Sequence, residues 1–415
     1  MNPFSWLFLA VVLAALTVQA WLARRQVRHV RAHRERVPDA FAGRIGADAH
    51  HHAADYTVAR TRFGLAESLW GTVILLGLTL GGGLQLLDRW WQATGWGEVA
   101  LGTGFLLSVA LVSAVLELPS AVYRTFVLEE RFGFNRTTPR LFLADTAKGA
   151  VLGLLLGAPL AAAVLWLMAH AGPWWWLHAW LLWLGFTLLM VWAYPTLIAP
   201  WFNRFEPLDD PELTARIEGL LERTGFAAQG LYVMDGSRRS AHGNAFFTGF
   251  GRHRRIVFFD TLLEHLAPEE VEAVLAHELG HFRLRHIRKR LAVSAVLGLA
   301  GLALLGWLID TPVFYEALGV PKPSLHAGLA LFMLVAPVAT FFIHPLFARV
   351  SRRHEYEADD FAAKTGGAAA LVRALVKLYE ENAATLTPDP VHSAFYDSHP
   401  PAPLRIAHLS TKIPE

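Results

Sequence analysis

APEEVEAVLAHELGHFRLRHIRKRLAVSAVLGLAGLALLGWLI, residues 267–309, joins two helical stretches that belong in different solvents. The first opens with Pro268, Glu269 and Glu270, residue types that start helices. Val271, Val274, Leu275 and Leu279 then mark one apolar face. The last part, 291–309, carries no charge, and a helix needs about 20 apolar residues to cross a bilayer core. Between the two stand His277, Glu278 and His281. Histidines four apart on a helix project from the same side and can grip one metal ion; Glu278, one residue round, stays free to act on a water.

Outward from this segment the chain is built for a membrane. Of its 415 residues 54% are hydrophobic and only 17% charged, with 15 Trp and 26 Phe; soluble domains average about 25% charged. Seven stretches suit a helical crossing: 4–23, 68–87, 99–118, 149–169, 175–194, 291–309 and 327–347. Trp90, Trp91, Trp96, Trp174 to Trp176 and Tyr194 crowd their ends as interfacial anchors do. No charged region precedes residues 4–23, so that stretch reads as a retained span and not a cleaved signal.

Orientation follows from the basic residues. Arg24, Arg25, Arg28, Arg31, Arg34, Arg36, Arg44, Arg60 and Arg62 follow the first span, whereas the opposite loops hold little beyond Arg89 and Lys322. Positive residues stay in the cytoplasm, which predicts the N-terminus outside and the C-terminus inside. The expected organisation is a five-span membrane region over 1–199, a cytoplasmic catalytic region over 200–290, two further spans over 291–348 and a C-terminal catalytic segment over 349–415. In the second region 210–223 reads as an amphipathic helix. Residues 231–233, 245–250 and 255–259 read as short strands, the last two split by a turn containing Gly251. His50, His51 and His52 read as a solvated polar run on an irregular linker.

Composition also excludes. With no cysteine, disulfides and thiolate metal sites are absent, and any metal rests on His, Asp or Glu. A formal net charge of +2 gives no footing for nucleic acid. A catalytic zinc needs a third protein ligand. One arrangement places a third His six residues after the second, with a Gly between, but here those positions are Ile287 and Leu284. Another uses a Glu on a second helix with an Asp four residues on. SRRHEYEADDFAAK, 351–364, offers Glu355 and Asp359 on one face, with Asp359 suited to accept the outer N–H of His277. Glu357 and Asp360 read as ordinary charges of a helix near the membrane. Two spans separate His281 from Glu355, and an even number of crossings returns the chain to the same side.

The whole pattern resembles the type I CAAX prenyl proteases, integral-membrane zinc peptidases named for the C-terminal motif they process. The likeness runs from about residue 56 to 409. It rests on EERFGFN (129–135), YPTLIAPWFNRFEPL (194–208), SRRSAHGNAFFTGFGRHRRIVFFDTLL (237–263), HELGH (277–281), SRRHEYEADDFA (351–362) and DSHPPAPLR (397–405). The resemblance implies an α-helical polytopic membrane protein of seven spans, carrying a cytoplasmic gluzincin-like metallopeptidase domain with a small β-hairpin or sheet. It implies one Zn2+ held by His277, His281 and Glu355, Glu278 as general base, and His399 and Arg405 facing substrate near the reacting carbonyl. Asn244 and Ala245 would lie on a strand edge that receives the substrate backbone, and the spans would enclose a water-filled chamber. Ala402 and Pro403 depart from the bulkier or acidic residues often found between His399 and Arg405.

The expected partners are the lipid bilayer and a polypeptide substrate, such as a lipidated or hydrophobic C-terminal peptide. A broad-specificity quality-control protease of membrane proteins is the alternative. A transporter or scaffold with a structural zinc is more remote, because ionisable groups within the spans are few (Glu117, His178, His344) and most lie near span ends.

Overall fold

The computed structural model describes residues 2–228, 230–248 and 255–413. The chain begins with α1 (Pro3–Ala32), whose first turn is capped by the Asn2 side chain accepting the Ser5 N–H. Next come α2 (Ala47–Leu78), α3 (Gly83–Gln92), α4 (Glu98–Tyr123), α5 (Pro139–His170), α6 (Trp175–Ala193) and the single turn α7 (Ala199–Phe202). Strand β1 (Phe205–Pro207), α8 (Pro211–Thr224), β2 (Gly230–Met234), β3 (Ala245–Thr248) and β4 (Arg255–Phe259) come next. Then follow α9 (Asp260–His265), α10 (Pro268–Arg283), α11 (His286–Leu308), α12 (Pro312–Ala317), α13 (Leu325–Thr340), α14 (His344–Ala362), α15 (Ala368–Glu381), α16 (Pro390–Tyr396) and α17 (Ala402–Ser410).

Six helices among the described residues are long and apolar enough to cross a membrane, and the bent pair α2 and α3 makes up to seven. The pair explains one difference from expectation: the stretch 68–87 is not straight but bends by 46° where Gly82, at φ 81°, ends the α2–α3 break. The stretch 327–347 likewise passes from α13 into α14 through a 3-10 turn at Phe341–Ile343. Trp6, Leu13, Leu155, Trp166, Val296 and Trp307 all lie exposed on these helices. A surface so apolar is the wrong way round for water and the right way round for lipid.

Two cores result. One lies among the spans, around Leu84, Phe105, Leu305, Tyr315 and Leu331. The other packs α8, α10, α15 and α17 against the sheet, around Ile217, Leu220, Phe258, Leu275, Leu371 and Leu409. Asp210 caps α8 by accepting the Leu213 N–H. The expected small sheet is present, with β1 as a fourth strand beside the three expected ones. Its order is β1-β2-β4-β3, with β2 and β4 parallel and the outer pairings antiparallel, which leaves β3 at an edge. Gly249 and Phe250 of the expected strand, and the Gly251 turn, lie outside the described residues.

The histidine run corrects the sequence reading. His50, His51 and His52 sit on the first turns of α2, not on an irregular linker. His50 is buried, and its Nε2 lies 3.0 Å from the His33 carbonyl, to which it donates. A helix that docks its first turn against the end of α1 needs that carbonyl partnered, which alternation of polar residues does not announce.

Candidate metal centre and substrate cleft

Helices α10 and α14 carry the site, and a glycine sets how closely they meet. A Cβ built on Gly280 would lie 3.0 Å from the Cα of Ala358 and 3.1 Å from its carbonyl oxygen. At this close approach three expected donors converge. His277 Nε2 and His281 Nε2 are 3.2 Å apart. His277 Nε2 lies 3.4 Å from Glu355 Oε2, and His281 Nε2 lies 3.3 Å from Glu355 Oε1.

These separations match a metal better than they match hydrogen bonds. Four-coordinate zinc with bonds of about 2.0–2.1 Å keeps neighbouring donors about 3.3 Å apart. Glu355 is buried, yet its Oε2 has no hydrogen-bond partner among the described residues. A buried, unpartnered carboxylate oxygen costs free energy, and a cation between the three donors removes that cost. The residues therefore fit a divalent metal.

Behind the imidazoles stands a layer of fixed hydrogen bonds. His277 Nδ1–H donates to Asp359 Oδ1 at 2.8 Å. Asp359 also receives Nε–H and Nη2–H of Arg405 at 2.9 and 2.5 Å, so this buried carboxylate is a hub. Burial opposes charge on His277, but Asp359 and Glu355 outweigh it and raise the metal-free imidazole to about 9. Arg405 is itself buried. Burial works against its charge too, but Asp359 more than compensates and its pKa is raised. Its guanidinium is thus engaged beneath His277 while also lining the cleft.

In front of the donors lies a cavity of about 140 Å³, lined by Asn244, Ala245, His277, Glu278, His399 and Arg405 among others. Glu278 is half-buried there and has no hydrogen-bond or ion-pair partner among the described residues. His399 Nε2 sits 3.4 Å from Glu355 Oε1, while its Nδ1 is 3.0 Å from Ser398 Oγ. Where the Ser398 hydroxyl donates to Nδ1, the proton of a neutral ring sits on Nε2, on the side of Glu355. Asn244 passes its carbonyl to the Phe259 N–H at 2.9 Å, and its side-chain Oδ1 accepts the Ala245 N–H at 2.8 Å. The Ala245 N–H therefore points away from β4.

Gly243, Asn244 and His399 also border a second space of about 1110 Å³, walled by Tyr56, Arg60, Glu129, Tyr379, Asn382 and Tyr396. Its floor ties the N-terminal helices to the later part of the chain. Tyr56 donates to Glu129 at 2.8 Å, and His242 stacks on Phe134 while meeting Asn382 at 2.9 Å. Six of the nine expected site residues line the smaller cleft, and His281, Glu355 and Asp359 are in contact with members of that six.

Two residues of this region carry no sequence signal that pointed to them. His286 is fully buried, 3.0 Å from His281 Nδ1 on one side and 3.0 Å from Glu357 on the other. Glu357 is consequently not an ordinary surface charge, as its place beside the membrane suggested. Arg285, at φ 59°, makes the left-handed turn that folds His286 back, and an arginine gives no advance notice of that conformation.

Comparison with known proteins agrees with this architecture. Residues 26–204 match the CAAX prenyl protease N-terminal family, described as five membrane helices, and 207–413 match peptidase family M48. The CAAX prenyl protease 1 homolog of Oryza sativa is 32% identical over 98% of this chain and 97% of its own length. The human CAAX prenyl protease 1 homolog is 31% identical over 98% and 95%. The crystal structure of S. mikatae Ste24p superposes with a TM-score of 0.92 at 28% identity, covering 99% of each chain. With fold, cleft and sequence in agreement over nearly its full length, this chain belongs to the M48 peptidases of the CAAX prenyl protease kind, as a multi-pass membrane metalloprotease.

Proposed function

We propose that the chain is a zinc endopeptidase that cleaves an extended peptide at the His277, His281 and Glu355 centre, with Glu278 as general base. The observation that carries this reading is the trio of donor separations, 3.2, 3.3 and 3.4 Å, beside a carboxylate left free to face the cleft. Zinc bound there supplies Lewis acidity, polarising a water and the scissile carbonyl. Every other step falls to side chains. Glu278 takes the proton of the attacking water and returns it to the leaving amine. His399 donates its Nε2–H to the oxyanion that develops on the carbonyl. Asp359 keeps the His277 proton on Nδ1, so that Nε2 presents its lone pair to the donor set, and Arg405 holds Asp359 in place.

The edge strand β3 supplies the substrate track. The peptide adds beside 244–247 through backbone hydrogen bonds along the edge that β3 leaves open. Such pairing tolerates many side chains, and the larger space beyond, lined by Arg60, Glu129 and Asn382, has room for the peptide that extends from the cleft; the segment taken is a hydrophobic or lipidated C-terminal one. The catalytic unit comprises 200–290 and 349–415, joined through the spans of 291–348 and packed beneath the membrane region of 1–199. Its cleft faces the cytoplasm, with the N-terminus outside, because the basic residues gather on that side.

The test uses the full chain purified in detergent, with a prenylated CAAX peptide and an unprenylated hydrophobic peptide as substrates. Cleavage that a chelator abolishes and zinc restores supports the centre. Glu278→Gln keeps zinc and loses about 100- to 10,000-fold in rate. Unimpaired cleavage by that variant ends the general-base assignment, and equal cleavage of both peptides moves the substrate class to a broad-specificity protease.

A further inference from the structure

His286 sits one layer behind His281 and has no part in the chemistry above. Its surroundings nevertheless fix a direction. Glu357 Oε2 lies 3.0 Å from His286 Nε2, and Glu357 Oε1 accepts the Nε–H of Arg353 at 3.0 Å. An ionised carboxylate only accepts, so the proton of His286 resides on Nε2 and its Nδ1 carries a lone pair. That lone pair faces His281 Nδ1 at 3.0 Å. His281 must then donate from Nδ1, which leaves its own Nε2 unprotonated and aimed at His277 and Glu355. Reversing the bond would put the proton on His281 Nε2 and close it to a metal.

The two imidazoles are therefore oriented in parallel ways. His277 is held by Asp359 and then Arg405; His281 is held by His286, then Glu357, then Arg353. The His286 and His354 rings stack at 4.0 Å with planes 10° apart. Lone pairs lie in the plane of each ring, so those of two parallel rings do not converge on a shared ion. The stack instead clamps His286 in its plane.

We infer that His286 is a positioning residue for the metal centre: pinned by Glu357 and His354, it accepts the Nδ1–H of His281 and thereby fixes the tautomer with which His281 binds metal. This inference rests on the zinc reading proposed above. It assigns Glu357 the role of setting the direction of the hydrogen-bond chain.

The experiment measures the zinc dissociation constant of the detergent-purified full chain by chelator competition, with the visible spectrum of the cobalt-loaded protein as a second readout. His286→Phe keeps a planar ring without an acceptor and should weaken zinc binding about 10- to 100-fold, the usual effect of losing such a partner. His286→Gln retains both an acceptor and a donor, and should recover most of that loss. Glu357→Ala, at a side chain that is 33% exposed and not needed to fill the core, should weaken binding about 10-fold and shift the cobalt bands. If His286→Phe fails to fold, Glu357→Ala decides. Unchanged zinc affinity in His286→Phe, or in Glu357→Ala, overturns the relay, as does an equal loss in the Phe and Gln variants. Failure of the unmodified chain to bind stoichiometric zinc would instead remove the metal centre itself, and this inference with it.

Discussion

Replacing Gly280 by Ala tests whether the spacing of α10 and α14 sets metal affinity. The added Cβ would lie 3.0 Å from the Ala358 Cα and 3.2 Å from the Phe361 Cβ. Carbon atoms rest at about 3.5–4.0 Å, so α14 has to retreat by about 0.5 Å. Metal sites accept donor displacements of only about 0.2 Å, and α14 carries Glu355. Two energies oppose each other in the metal-free protein. Overpacking costs about 1–3 kcal/mol, whereas alanine in a helix interior regains about 1 kcal/mol over glycine. The melting temperature without zinc should therefore change little. Zinc affinity has no such offset and should fall about tenfold, equivalent to about 1.4 kcal/mol. Chelator competition in detergent gives the affinity, and thermal unfolding with and without zinc separates the two effects. A variant that melts early yet binds zinc as tightly as the unmodified chain would refute the reasoning, because helix spacing would then be decoupled from the donor set.

Other outcomes follow from the same geometry. Asp359→Asn, which loses the charge opposite His277 and Arg405, should weaken zinc binding about 10- to 100-fold, read by chelator competition; unchanged affinity would detach Asp359 from the centre. Zinc uptake should also depend on pH. The metal-free His277 is raised to about 9, and only the neutral ring binds metal, so affinity should climb from pH 7 towards 9 and then level off. The metal-free fold should show the opposite trend: the raised pKa contributes stability in full below the unfolded value near 6.5, and that contribution is lost as pH rises through about 9. Titrations of affinity and of melting temperature against pH that run in parallel would contradict this assignment. Because the chain has no cysteine, single Cys replacements of Lys322 and Lys412 report topology directly. An impermeant maleimide added to intact cells should label the first and spare the second; labelling of the second alone would invert the orientation.

Much of this site was legible in the residues because metal chemistry restricts spacing tightly. His277 and His281 share a face through helical periodicity, and Glu355 and Asp359 repeat the same interval on a second helix, so Asp359 could be paired with His277 Nδ1 before any coordinates. The spans were legible because the bilayer demands length and apolarity at once. What escaped was set by tertiary context. The bend at Gly82 looks like continued hydrophobicity, and β2 pairs with β4 in parallel across an intervening strand, a register that local alternation does not encode. His50 and Glu357 escaped for a related reason. Each is a polar residue whose partner is brought to it by a neighbouring helix, and composition alone makes such residues look solvated.

The division of the donor set along the chain also has a consequence for biogenesis. Two imidazoles leave the ribosome on α10, but the carboxylate that completes the trio arrives on α14, after a membrane hairpin has been threaded, and His399 arrives later still. On the proposed reading, a nascent or truncated polypeptide ending before α14 would carry HELGH without its third ligand. On the zinc reading proposed above, competence to cut would belong to the finished chain and not to its nascent forms.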